Sequence, residues 1–239
     1  MSDSRFALSF GSAADAYERG RPEWPRELLD RLPVPPEAEV LDLAAGTGKL
    51  TRLLVDRYRR VTAVEPDPDM RRLLGLVTDC YLEGTAEAVP LADASVDAVF
   101  VGEAFHWFDA PRAVAEIARV LRPRGVLALL WHRYPPSADV LPEGVLPRAR
   151  TAKHRLLLSG DWRVAFDGAP FEPLREETLA RDEEMPREQL VDYFASISPV
   201  ATLPPGERER TLAAIAAALE RPTYRRRWTT HLYWTRRAA

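Results

Sequence analysis

The sequence predicts an α/β fold in which a parallel sheet is wound on both faces by helices, and three observations predict it. Short apolar segments alternate with helical patterns between Glu39 and Trp131, the trace that βαβ units leave in a sequence. Those segments are apolar on both faces, as strands covered on two sides are. The first of them runs through a turn of small residues straight into a helical pattern.

Taken in order, residues 12–32 hold two short helical patterns, broken at Gly20-Arg21-Pro22 and resumed after Pro25. Pro33, Pro35 and Pro36 stiffen the connector that follows. Glu39–Ala44 is the first strand. Lys49–Tyr58 places apolar residues at 50, 53, 54 and 58, a helical spacing. Val61–Val64 is the second strand and ends at Glu65-Pro66; Pro66 and Pro68 open a helix to about Leu74. Tyr81–Leu82 and Val96–Val101 are the third and fourth strands. Pro111–Leu121 is a helix with proline in its first turn, Arg122–Gly125 a turn, and Val126–Trp131 the fifth strand. Residues 134–170, rich in proline, alternate between loop and short helix. Phe171–Glu184 reads as a strand, Arg187–Ile197 as a helix, Pro204-Pro205 as the start of another reaching about Glu220, and Tyr224–Arg236 as a closing strand of β-formers. No linker sets the last third apart. The expectation is therefore one domain over 1–239: an N-terminal helical part (1–37), a cofactor-binding core (38–133) and a C-terminal part (134–239) whose helices at about 187–220 join the N-terminal ones in a cap.

Composition removes several function classes. Among 239 residues, 33 basic against 36 acidic give a net charge of −3, so a global basic field for nucleic acid is absent. Only Lys49 and Lys153 among the basic residues are lysine and asparagine is missing, so the arginine richness is a compositional bias. Arg225-Arg226-Arg227, the one basic run, reads as a solvated strand edge. A single cysteine, Cys80, excludes a disulfide within the chain and a cysteine zinc site, and the histidine spacing gives no metal site. No apolar run approaches the ~20 residues of a membrane helix, and Met1–Phe6 carries no apolar signal region. The expectation is a cytoplasmic protein, monomeric or homodimeric, with neither nucleic acid nor membrane as partner.

The chemistry concentrates at Val40–Lys49, VLDLAAGTGK. Ala44, Ala45, Gly46 and Gly48 carry little or no side chain, which lets a ligand approach the backbone. The helix that starts there favours an anionic group at its N-terminus. Glu65 follows Asp42 by 23 residues and ends the second strand, where an acid can accept both hydroxyls of a ribose. Together they describe a site for a nucleoside-type cofactor. The dinucleotide fingerprint Gly-x-Gly-x-x-Gly fails at Thr51, and no phosphate-loop lysine motif is present.

VLDLAAGTG resembles the first motif of the class I S-adenosylmethionine-dependent methyltransferases, and Glu65 looks like that family's ribose-binding acid. Gly84–Pro90 (GTAEAVP) is similar to the adenine-contacting segment after strand three, Ser95–Phe100 to the fourth motif, and Leu121–Gly125 to the turn before strand five. Ala14–Pro25, Ala104–Asp109 (AFHWFD) and the closing YRRRWTT strand resemble a bacterial and fungal small-molecule subgroup, some of whose members methylate carboxylates such as trans-aconitate. The resemblance covers nearly the whole chain. It implies a Rossmann-like, doubly wound, seven-stranded sheet, mostly parallel with an antiparallel last strand, under a helical cap. It further implies S-adenosyl-L-methionine as cofactor and in-line methyl transfer to oxygen or carbon of a small-molecule acceptor.

The same resemblance assigns residues. Ala44, Ala45 and Gly46 would pass the methionine end of the cofactor, while Asp42 orders the turn by accepting backbone N–H groups. Glu65 with Pro66 would hold the ribose, and Met70 would cover the adenine face or pack in the core. Thr85, Ala86 and Glu87 would contact adenine, although Thr85 stands where relatives often carry aspartate. Tyr17 and Arg21 would close over the cofactor carboxylate or the acceptor. Glu103, which would contact the cofactor, and His106 lie in the loop after strand four, where ligands sit in open α/β sheets. His106 is the candidate general base or substrate hydrogen-bonding group, with His132 as second candidate. Trp107 and Phe108 are packing or pocket wall, and His154 and His231 are structural or exposed. Trp24, Tyr193, Phe194 and Ile197 would wall an acceptor pocket or pack. Arg124 replaces a glycine and costs about 1 kcal/mol if its φ is positive. Two other readings stay open: a repurposed fold catalysing a non-methylating biosynthetic step, and a cofactor-binding regulator without catalysis.

Overall fold

A computed structural model describes residues 14–134, 140–147 and 159–239. Strands β1 (Glu39–Leu43), β2 (Arg60–Val64), β3 (Tyr81–Leu82), β4 (Val96–Gly102), β5 (Leu121–Arg133), β6 (Arg175–Pro186) and β7 (Thr223–Arg236) form one seven-stranded sheet in the order β3-β2-β1-β4-β5-β7-β6. It is mostly parallel, with antiparallel last strands. Leu41 pairs with Thr62 on one side and Val99 on the other. From β1 the chain winds outward through β2 and β3, then returns to lay β4 and β5 on the other side. The order therefore reverses between β1 and β4, the place where open α/β sheets bind ligands. The helices are α1 (Ala14–Gly20), α2 (Lys49–Val55), α3 (Pro68–Leu74), α4 (Ala110–Val120), α5 (Arg187–Ser196), α6 (Ser198–Ala201) and α7 (Pro205–Ala218).

The chain groups into two compact units. One comprises Met1–Pro22, Arg133–Thr151 and Ala180–Thr229; the other comprises Glu23–His132, Ala152–Leu179 and Thr230–Ala239. The larger unit has a core on each face of its parallel strands. Leu41, Leu43, Val99, Val101, Leu127 and Leu129 meet Ile117 and Val114 of α4 on one face. Val40, Ala98, Phe100, Val126, Ala128 and Leu130 meet Leu28, Leu29, Leu50 and Leu54 on the other. Odd and even positions part in this way because successive strand residues point to opposite sides, and each buried aliphatic contributes about 1.5–3 kcal/mol of hydrophobic burial. The smaller unit has its own core of Met185, Leu190, Phe194, Ile215, Leu219 and Trp228. There α1 lies against α5 at Gly20: a Cβ on that residue would stand 2.2 Å from the Tyr193 backbone nitrogen.

Several expected boundaries move. The second N-terminal helical pattern is a 3-10 helix, Arg26–Arg31. The first core helix stops at Val55: the Arg57 and Tyr58 N–H groups both donate to the Leu54 carbonyl, which turns the Tyr58 ring onto Phe100. Arg122–Gly125, read as a turn, lies within β5. Val96 pairs with Leu121 and Ala98 with Val126, so the segment bulges between two paired positions. Arg124 sits there at φ 65°, the strained setting its loss of glycine implied. The strand expected from Phe171 begins at Arg175, after an isolated Phe171–Arg237 bridge. Of the arginine run, Arg225 and Arg227 are exposed but Arg226 is buried, as strand alternation requires. His154 and the prolines at 135 and 136 lie outside the described residues.

Candidate functional site

The site grows from the end of β1. The chain turns sharply there, with positive φ at Ala44 (59°), Gly46 (60°) and Gly48 (90°). The Ala45 N–H donates to the Val64 carbonyl at 3.1 Å, which ties the turn to the end of β2. The two glycines do different work. A Cβ on Gly48 would press on Leu74 and Val77 at 3.0 Å, so that glycine serves packing. A Cβ on Gly46 would meet nothing within 4 Å among the described residues, so toward them its backbone faces open space.

Glu65 closes the turn from the other side. It is 6% exposed. Its Oε2 accepts the Gly46 N–H at 2.8 Å and its Oε1 the Asp67 N–H at 2.9 Å. Asp67, rather than Glu65, caps α3 by accepting from the Asp69 and Met70 N–H groups. Arg71 braces this corner, donating to the Glu65 and Pro66 carbonyls and to Glu83. Sequence reasoning missed Arg71; its only signal was a guanidinium one turn into the helix after the acid. Burial pushes the Glu65 carboxyl up to about 7, against the two N–H donors, which hold it down.

Asp42 is also buried. It accepts the Thr51 hydroxyl at 2.6 Å through Oδ2, while its Oδ1 has no hydrogen-bond partner. Burial, with the Glu65 charge as a lesser cause, raises it to about 7. Its turn-ordering contact is thus to the Thr51 hydroxyl of α2.

Met70 and Ala86 are buried, and Met70 stands one turn into α3. Thr85 is exposed and forms an isolated bridge with Ala88. Glu87 does not stand open: its Oε1 accepts the Asp109 N–H at 2.8 Å and ties this segment to the start of α4. Glu103, after β4, has φ 56° and accepts the His132 N–H at 2.6 Å. His106 is buried in a 3-10 turn, Phe105–Trp107, where its Nδ1 accepts the Trp131 indole N–H at 3.3 Å. His132 stacks on Trp24 at 4.1 Å and contacts the Thr230 hydroxyl through Nδ1 at 2.9 Å. Trp24 and Phe108 are core residues, and Trp107 packs against the core.

One compact unit thus holds Ala44, Ala45, Gly46, Glu65, Pro66, Met70, Thr85, Ala86, Glu87, Glu103 and His106. Tyr17 and Arg21 belong to the other. There Arg21 donates to the Ser196 hydroxyl at 3.0 Å and lies against the rings of Tyr17, Tyr134 and Tyr193 at 5.1, 5.6 and 5.4 Å. Tyr193 and Phe194 are core residues of that unit. His231, read as structural or exposed, contacts Glu176 at 3.1 Å. Among the described residues no cluster of three metal-ligating side chains occurs, and no helix is long and apolar enough to cross a membrane.

The residues fit the adenosyl cofactor on their own geometry. Each Glu65 oxygen accepts one N–H and keeps a second lone pair for a ribose hydroxyl. The open space at Gly46 lies beside that acid.

Residues 41–129 match the family described as "Methyltransferase domain". A methyltransferase-like protein of Schizosaccharomyces pombe, itself uncharacterized, is 32% identical over 212 residues, covering 83% of this chain and 81% of that protein. The chain belongs to the class I S-adenosylmethionine-dependent methyltransferase family. An uncharacterized methyltransferase of Mycobacterium tuberculosis is 55% identical to this methyltransferase-family chain over 128 residues, so the match spans about half of each, 53%. Among solved structures, a proposed type II methyltransferase from Anaeromyxobacter dehalogenans superposes with TM-score 0.64 at 28% identity, over 91% of this chain and 97% of that one.

Proposed function

We propose that the chain is a single methyltransferase domain that moves a methyl group from S-adenosylmethionine to a small-molecule acceptor. One observation carries the reading: a buried carboxylate, Glu65, clamped by the Gly46 and Asp67 N–H groups beside a glycine whose Cβ position is open. When bound, the cofactor supplies a methyl group already activated on a sulfonium. The chain's residues hold and exclude. Glu65 fixes the ribose, Ala44, Ala45 and Gly46 admit the methionine end, and Met70, Ala86 and Thr85 border the adenine. In the loop after β4, Glu103 meets the cofactor and His106 the acceptor. Methyl transfer then asks for alignment, with the attacking atom about 3 Å from the methyl carbon and water kept out. The acceptor is a carboxylate, a hydroxyl or a carbon nucleophile.

Calorimetric titration with S-adenosylmethionine, S-adenosylhomocysteine and NADH, beside Glu65→Ala, tests it. Micromolar binding of the adenosyl ligands only, weakened by about 1–3 kcal/mol in the variant, is expected for a lost charged hydrogen bond. Tight NADH binding alone would overturn it.

A further inference from the structure

We propose that Arg71 is a positioning residue of the cofactor site: its guanidinium joins the corner that carries Glu65 to the end of β3, and so sets the carboxylate for the ribose and Gly84–Pro90 for the base. The proposal rests on the methyltransferase reading above and deepens it. Arg71 lies one turn into α3, beyond the Asp67 cap. Its Nη1 donates to the Glu65 carbonyl at 2.8 Å and to the Pro66 carbonyl at 2.6 Å. Its Nη2 donates to the Glu83 carboxylate at 2.8 Å. A guanidinium serves all three because its donors form a rigid planar fork, which an ammonium lacks.

Each contact has a consequence for the site. The Pro66 carbonyl shares one rigid peptide plane with the Asp67 N–H. By holding that carbonyl, Arg71 aims the N–H that Glu65 Oε1 accepts at 2.9 Å. The Glu65 carbonyl, on the preceding peptide, fixes the exit of the chain from β2. At the far end, β3 is an edge strand of two exposed residues, Tyr81 and Leu82, paired with Ala63 and Val64. Glu83 follows them directly. Gly84 is packed so closely that a Cβ there would stand 2.6 Å from Pro90 Cδ and 3.1 Å from Val64 Cγ1. Glu83 therefore carries Gly84–Pro90 with it, and one guanidinium keeps this segment in register with the acid.

The charge of Arg71 acts in the same direction as its geometry. Of the charges around Glu65, Asp67 opposes its ionisation, Asp42 of β1 shares a mutual repulsion with it, and Arg71 favours it. Glu83, from the end of β3, holds the guanidinium in place. Burial has already brought this carboxyl to about 7, so near neutral pH it stands half-ionised. A ribose hydroxyl donates, and the anion is the form that holds it more strongly. At this balance point a lost positive charge shows directly in the amount of anion present.

The test reads the carboxyl before it reads any ligand. Glu65 is titrated in the ligand-free full chain by carbon-13 spectra of its side-chain carboxyl, assigned by loss of the signal in Glu65→Gln. Affinity for S-adenosylhomocysteine is then followed by calorimetry across the same pH range. Arg71→Met is expected to raise the Glu65 midpoint and to move the climb in affinity to higher pH with it. It is also expected to weaken affinity on the plateau about tenfold, as loss of a charged hydrogen bond does. Arg71→Lys keeps the charge without the fork, so its midpoint is expected to stay in place while plateau affinity falls. Arg71→Gln, neutral but still a donor, is expected to repeat the midpoint shift, and it serves if the methionine variant does not fold. A midpoint indifferent to both neutral variants, full plateau affinity in Arg71→Lys, or one equal loss at every pH in all three variants would each overturn the proposal. Failure of S-adenosylhomocysteine to bind the unaltered chain would instead remove the methyltransferase reading. The ligand-free titration would still decide whether Arg71 governs Glu65, and an unmoved midpoint there would overturn that too.

Discussion

Two buried carboxyl groups set the residue scale. Asp42 and Glu65 both rise to about 7, chiefly because burial penalises their charge. A carboxyl raised in the fold binds its proton more tightly there than in the unfolded chain. Its stabilising contribution is therefore complete below the unfolded value of about 4 and is lost as pH climbs through about 7. Global stability, followed by urea unfolding, is expected to fall between pH 5 and pH 8 by the share these two groups hold. Asp42→Asn keeps an oxygen for the Thr51 hydroxyl and removes one charge, so it is expected to raise stability at pH 8 by on the order of 2 kcal/mol and to flatten that slope. An unchanged slope would mean that neither group carries the linkage. Function runs the opposite way. A ribose hydroxyl donates, and an ionised Glu65 accepts better than a protonated one. Affinity for S-adenosylhomocysteine is expected to climb from pH 6 through the Glu65 value of about 7 and to level off about one pH unit above it, a trend that Glu65→Gln abolishes in calorimetry.

At the scale of elements, the turn after β1 and the bulge in β5 both hold strained backbone, for different ends. Gly46 at φ 60° faces open space, so Gly46→Ala costs the fold only the about 1 kcal/mol of a left-handed alanine. Ala44 already occupies the same region. Cofactor affinity is expected to fall by tenfold or more while the melting temperature moves by a few degrees, because the new methyl enters the ligand's space. Arg124 at φ 65° predicts the converse: Arg124→Gly is expected to gain about 1 kcal/mol without touching affinity, read in paired melting and titration curves. These two elements also mark what the sequence made legible. The strands of the core, the small-residue turn and the acid ending β2 were readable because each is a local pattern. The bulge was not. Arg-Pro-Arg-Gly has local turn chemistry, and only pairing with β4 on both sides draws it into a strand. The His106–Trp131 bond joins residues 25 apart on different elements, and the Glu87 clasp on Asp109 spans 22. No periodicity encodes either.

The whole molecule hides its plan for a related reason. The smaller unit is assembled from three segments interleaved with those of the larger, so no linker or compositional seam marks it. Its own logic is concentrated at Gly20. That glycine lets α1 approach α5 so closely that an added Cβ would fall 2.2 Å from the Tyr193 nitrogen and 2.4 Å from the Asp192 carbonyl carbon, both backbone atoms that cannot swing aside. Gly20→Ala must therefore part the helices, strain the Arg19–Asp192 ion pair at 2.7 Å and loosen Leu190 and Phe194 beneath them. Overpacking of this kind is worth on the order of 3 kcal/mol. Local stability is not uniform within a chain, so hydrogen exchange read by peptide separates two outcomes. Faster exchange confined to 14–22 and 187–196, with β1 and β2 protected as before, means that the smaller unit opens on its own free energy. A uniform rise across 39–64 as well would show that the two units unfold as one, and that the core's stability depends on a glycine outside it.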